Sequence, residues 1–285
     1  MIIDIHTHIF PDKMAAGVID KLSRTSRSVA FTDGTLNGLI NSMSSSGVDL
    51  SVILPVATNT PQVEKVNDVS AALNEKFNGD KIISFGCIHP DYTNYTAELN
   101  RIKSLGFMGI KVHPVYQDTD LDDIKYLRIF NRAAELGLTV ITHAGLDIGF
   151  PGVIHCSPQM ARHVIDEVGS FNFVLAHMGG WRNWNEVPKY LADTNVYIDT
   201  AFSTGFITPR PDSQWNTNDL ALMNEAQFMT VLKKFGADRI IFGTDSPWSS
   251  QSESINFIKR LPISDDEQNK ILGLNAAKLL NNWRL

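Results

Sequence analysis

The chain has 285 residues and a formal charge of −6, with 43% hydrophobic and 20% charged residues. An acidic balance without a basic stripe argues against nucleic acid or an anionic membrane surface as a partner. Two cysteines, Cys87 and Cys156, make neither a disulfide framework nor a thiolate metal site; no apolar run approaches the ~20 residues of a membrane span; and MIIDIHTHIF lacks the basic start of a signal peptide, so a reduced, cytoplasmic protein is expected.

Short apolar runs alternate with longer amphipathic ones. The runs that read as buried strands are residues 2–5, 51–56, 81–88, 107–112, 138–142, 171–176, 195–200 and 239–244. They are β-branched and nearly continuous in apolar character, as parallel strands covered on both faces should be. Helical patterns fall between them: one after Asp33 that closes on Gly47, one over 94–105 before Gly106, and one over 122–136 before Gly137. Another begins at Ser157, an N-cap ahead of Pro158, and one runs from Asn218 or Asp219 to Phe235, before Gly236. This rhythm is that of βα units and predicts an α/β chain, a (β/α)₈ TIM barrel forming one domain over residues 1–285. An open doubly wound sheet is the alternative, but no glycine-rich phosphate loop follows the first strand. Residues 10–33, 145–157 and 201–218 break the rhythm. All three follow strand C-termini, the side on which a barrel builds its site.

Strand ends carry the polar residues. The first strand ends in Asp4-Ile5-His6-Thr7-His8, and residues two apart on a strand share a face, so His6 and His8 can point together into the mouth. The fifth ends at His143, the sixth at His177 and the eighth at Asp245. Barrel closure brings these ends around one opening. Three or four imidazoles and a carboxylate suit a divalent metal, zinc first, with manganese, iron or nickel also compatible. Such an ion activates water and polarises carbonyls. Asp245 could touch the metal and take the water's proton; His177 could be a ligand or an acid/base beside it.

The ordered pieces DIHTH, GIKVHP, ITHAG, LAHMGG and FGTDSPW, spanning Asp4 to Trp248, resemble the amidohydrolase superfamily, in the branch that holds aminocarboxymuconate-semialdehyde decarboxylase-like enzymes. The resemblance implies a distorted TIM barrel. It implies His6, His8, His143 and Asp245 as metal ligands, with His177 assisting catalysis from beside the metal. In two-metal relatives such as dihydroorotases a carboxylated lysine bridges the ions, and Lys111 of GIKVHP stands in a similar position; one metal is favoured over two.

Lys111, His113, His155 and Trp181 are the candidates for contacting substrate. Asp199 could orient a ligand or make a loop hydrogen bond. Trp184, Trp215 and Trp248 could wall the pocket, and Arg182 and Arg210 could meet an anionic substrate or stay at the surface. The leading expectation is a metal-dependent hydrolase that attacks an amide, ester or lactone carbon of a small, carboxylated substrate with metal-activated water. The alternative is a metal-dependent non-oxidative decarboxylase of the same branch. A binding barrel without chemistry is the third, and the full ligand set speaks against it. Contact through residues 10–33 and 201–218 would allow a homodimer.

Overall fold

In the computed structural model the eight predicted runs become parallel strands. These are β1 (Ile3–Thr7), β2 (Leu50–Ile53), β3 in two pieces (Ile82–Ser84 and Gly86–Cys87), β4 (Gly109–Val112), β5 (Thr139–Thr142), β6 (Phe173–Leu175), β7 (Tyr197–Asp199) and β8 (Ile240–Ile241). The structure describes residues 1–281 and Trp283; the remaining end of the expected domain lies outside the described residues. β3 is interrupted at Phe85. Its first piece pairs with β2 and its second with β4, so the ladder divides into β1-β2-β3 and β3-β4-β5-β6-β7-β8. Ile5 N donates to Phe242 O at 3.0 Å and His8 N to Ser246 O at 2.7 Å, which joins β1 to the β8 end and closes the TIM barrel. Among the described residues no helix is long and apolar enough to cross a membrane.

The strands are short and buried on both faces, so their apolar side chains fill two layers. Ile3, Ile5, Val52, Phe85, Ile141, Val174 and Ile241 pack inside the barrel, and the C-terminal helix segment with Ala276 and Leu280 packs against them. Outward residues such as Ile110, Val112, Val140 and Leu175 meet the surrounding helices. Helix boundaries follow local chemistry. Thr35 caps α2 (Leu36–Ser46) by accepting from Gly38 N, and Gly47, in the left-handed region, ends it. Asp123 caps the helix Ile124–Glu135, and Ser157 with Pro158 opens the helix Pro158–Val168 as expected.

Two expectations are corrected. Residues 10–33 break the rhythm, yet they hold a 15-residue helix, α1 (Asp12–Ser26), laid at the mouth with Ala15, Ser23 and Ser26 as its buried residues. The helix expected from 218 or 219 to 235 is two helices, Thr217–Leu220 and Glu225–Phe235. Between them the backbone pairs with the loop after β7: Leu222 N donates to Gly205 O (2.9 Å) and Met223 N to Ser203 O (2.9 Å). Asn224 then opens the second helix with a reciprocal capping box to Gln227. These bonds satisfy the backbone without a continuous helix.

Candidate metal centre

Simple alternation would send His6 away from the mouth, because Ile3 and Ile5 already face the barrel interior. A bulge prevents this. Asp4 pairs with Ser51 and Thr7 with Ile53, so β1 carries one extra residue between those pairs. Bulges re-aim side chains next to sites. His6 thereby turns into the mouth, where Lys111 Nζ lies 3.3 Å from its Nε2. Gly243 permits the approach of the β8 end: a Cβ there would stand 2.9 Å from the His6 Cβ.

Three atoms converge. His6 Nε2 and His8 Nε2 are 3.2 Å apart, and Asp245 Oδ1 lies 3.3 Å from the first and 3.1 Å from the second. Ligand atoms about 2.1 Å from one ion are ~3.0–3.4 Å apart in octahedral or tetrahedral geometry. The tautomers fit as well. His6 donates from Nδ1 to Asp199 Oδ2 at 2.8 Å, and His8 donates from Nδ1 to Leu54 O at 2.8 Å. Each neutral ring therefore presents a bare Nε2 lone pair to the same space as a carboxylate oxygen, and a divalent cation satisfies all three at once.

His177 and His143 extend the cluster. His177 donates from Nδ1 to Ala201 O (2.8 Å), and His143 donates from Nε2 to Leu146 O (3.2 Å). Their remaining nitrogens face each other at 3.0 Å. Of the predicted ligands, His6, His8 and Asp245 thus form the tight trio, and His143 Nδ1 joins through His177, whose ring centre is 5.4 Å from that of His6. His177 and Asp245 both have left-handed backbone, with φ of 60° and 65°. Such conformations in non-glycine residues cluster where function demands them.

Electrostatics keep the rings neutral. Burial, joined by the nearby Lys111 charge, lowers His6 well below the usual histidine range; burial also lowers His143 and His177. Burial pushes the Asp245 carboxyl up, but the His8 and His6 rings, 3.1 and 3.3 Å away, more than offset it and hold it below the ordinary value. Lys111 is brought down to about 8 by burial, against the pull of Asp199 and Asp245. Neutral imidazoles and an ionised carboxylate are the forms that bind metal.

Around this floor lies a cavity of about 460 Å³. Its walls are mostly apolar or aromatic: Leu54, Tyr116, Leu146, Trp181, Phe202 and Trp248. Lys111, His113 and Trp181 line it, as expected of substrate candidates. His155 is not brought there; it bonds Asp120 at 2.6 Å and approaches Asp118, because its loop turns toward the residues that follow β4. Arg182 is bound to Ala221 O and Asp219 O, and Arg210 pairs with Asp212 and Asp20, so among the described residues no arginine lines the cavity.

Sequence reasoning missed Tyr116 and Asp147. His113 is stacked between Tyr116 (3.9 Å between ring centres) and His143 (4.3 Å), and its Nε2 is 3.6 Å from Asp147 Oδ2. His113, His143 and Asp147 bring three donor atoms within 4.8 Å. The two imidazole planes are nearly parallel at stacking distance, however, so an ion in the plane of one ring lies out of the plane of the other. This group is better read as a wall that holds His143.

The family model for amidohydrolases matches residues 3–281. The chain belongs to the amidohydrolase family. As a member it is a metal-dependent enzyme, a hydrolase or a carboxy-lyase. No curated protein matches it. Among solved structures it is similar to an uncharacterized TIM-barrel protein from Bordetella bronchiseptica, at 20% identity and a TM-score of 0.77, over 100% of this chain and 99% of that one. It is similar to 5-carboxyvanillate decarboxylase from Sphingomonas paucimobilis, at 17% identity and 0.70, over 98% of both chains. It is also similar to a dihydroxybenzoic acid decarboxylase from a Polaromonas species, with bound manganese and 2-nitroresorcinol, at 16% identity and 0.68, over 98% of this chain and 96% of that one.

Proposed function

We propose that this amidohydrolase-family enzyme is a non-oxidative decarboxylase of a small, flat carboxylic acid, working with manganese or zinc. The observation that carries the reading is the pocket: convergent metal-type ligands floor a cavity walled by Tyr116, Trp181, Phe202 and Trp248. Structural likeness to decarboxylases of aromatic acids supports the same direction.

When bound, the ion supplies Lewis acidity at the cavity floor. The aromatic walls hold a planar substrate and exclude water. The bond between the carboxylate carbon and its neighbour breaks, its electron pair stays on the substrate carbon, and carbon dioxide leaves. A proton then fills the vacated position. Asp245 and His177, both lining the cavity, are the groups that take up and hand over that proton. Asp199 keeps His6 and His177 in place, accepting from His6 Nδ1 with one oxygen and from the His177 backbone with the other.

One observation favours hydrolysis as the second reading. Among the described residues no arginine stands in the cavity to grip a carboxylate, and Asp245 is as well placed to take a proton from a water as to give one to carbon. Manganese- and zinc-loaded protein should be offered hydroxylated benzoates, with carbon dioxide release recorded, alongside lactones, esters and amides, with acid release recorded. Carbon dioxide from the benzoates is the expected result. Cleavage of the second panel with no carbon dioxide from the first would replace the decarboxylase reading with the hydrolase one.

A further inference from the structure

The inner face of α1 is an unusual wall. Val18, Lys21, Leu22 and Thr25 recur at i, i+3, i+4 and i+7, and all four line the cavity. On most surface helices that stripe is buried against a core. Here its members are half-buried or exposed, because they face the cavity.

The end of the helix is tied down. Ser26 and Ser28 share a hydroxyl hydrogen bond of 2.7 Å, Ser28 pairs with Pro209, and Val29 N donates to Thr208 O at 2.9 Å. The loop after β7 therefore fixes where this face points.

Lys21 is the charged member of that face. Its neighbours on the helix are neutralised: Asp20 pairs with Arg24 at 2.9 Å and lies 3.5 Å from Arg210. Among the described residues Lys21 has no carboxylate within 4 Å. The other charged residues of the cavity, Lys111, Asp147 and Asp245, are engaged with the histidine cluster at its floor. Lys21 is thus an exposed, unneutralised ammonium on the wall of the cavity that the metal-type ligands also line. Thr25, one turn on, and Gln62 add hydrogen-bonding groups beside it.

We propose that Lys21 selects substrates with two acidic ends, one for the cavity floor and a second anionic group that the ammonium pairs with at the helix wall. The proposal rests on the reading of the floor as the place where a substrate carboxylate binds, and it supplies a cation on the helix wall of a pocket that, among the described residues, holds no arginine. An ammonium placed so confers specificity through charge complementarity, at the modest strength of a partly screened pair.

The test is binding, so it does not depend on which bond the enzyme breaks. Manganese-loaded full-length protein is titrated with benzoate, isophthalate and terephthalate by calorimetry, at low and at high salt. At least one diacid should bind about 3- to 10-fold tighter than benzoate. Lys21→Gln should reduce that ratio below about 2-fold, Lys21→Arg should retain it, and salt should erode it in wild type and in Lys21→Arg but not in Lys21→Gln. Equal binding of the three acids, no binding of any, or a ratio that survives Lys21→Gln would overturn the proposal. A diacid preference that depends on Lys21, in a protein that releases no carbon dioxide, would leave it standing while removing the decarboxylase reading.

Discussion

Asp199 uses both of its oxygens. Oδ2 accepts from His6 Nδ1, and Oδ1 accepts from the backbone N–H groups of His177 (2.9 Å) and Ala201 (3.0 Å). It is fully buried, so nothing but these partners solvates it. In the sequence it offers two readings, ligand orientation and loop hydrogen bonding, and in the structure one carboxylate makes both the bond to the His6 ring and the bonds to the loop backbone. Replacing it with Asn should leave the barrel folded while weakening manganese affinity about 10- to 100-fold, the usual loss when a group orienting a ligand is removed. Equilibrium dialysis reads this directly, and unchanged affinity would refute the orienting role. Asp245→Asn should fold equally well by circular dichroism and lower turnover about 10²- to 10⁴-fold, the typical contribution of a positioned proton carrier; near-wild-type turnover would show the proton moves elsewhere. The HxH pair and the strand-end histidines were legible because several scarce residue types recur at strand ends in one order. Tyr116 and Asp147 were not, since each is a single polar or aromatic residue in a loop, and only the fold stacks Tyr116 on His113 and turns Asp147 inward.

At the scale of the elements, strands were easier to read than what joins them. A buried parallel strand leaves a continuous apolar run, and all eight are where that run stands. The bulge in β1 leaves no such trace: alternation alone groups His6 with His8, but it cannot reveal the extra residue that turns them inward while Ile3 and Ile5 also face inside. The expected helix over 218–235 failed for a comparable reason, since pairing of Leu222 and Met223 with the loop at 203–205 is a long-range bond. Gly243 tests how far the site depends on element packing. A methyl group there would meet the His6 Cβ at 2.9 Å across the barrel seam, an atom fixed to the backbone that has little room to give. Gly243→Ala should therefore displace His6, lowering bound manganese at saturation to less than half by elemental analysis, in a protein that still shows native-like secondary structure. Full occupancy would mean the seam between β1 and β8 is softer than its hydrogen bonds imply.

For the molecule as a whole, the site is a cost that the barrel carries until a cation arrives. Four imidazoles and a carboxylate meet at the cavity floor, with ring nitrogens opposed at 3.2 Å for His6 and His8 and at 3.0 Å for His143 and His177. Opposed lone pairs repel, and the Lys111 ammonium, 3.3 Å from His6 Nε2, offsets this at one of the four nitrogens. Protons relieve this poorly, because burial lowers His6, His143 and His177 and makes their charged forms unfavourable. A divalent ion would relieve it without protonation, and the ends of β1 and β8 come together only in the folded chain, so binding there is linked to global stability. At an ion concentration 100 times its Kd the folded state gains ~2.7 kcal/mol. For a chain of this size that corresponds to a Tm about 5 °C higher than in protein stripped by chelator. The same comparison in a His6→Ala/His8→Ala protein should show almost no shift, because two of the three convergent atoms are gone. A wild-type Tm indifferent to manganese and zinc would mean that these side chains meet for some purpose other than holding an ion, and a shift of equal size in the double variant would place the ion elsewhere.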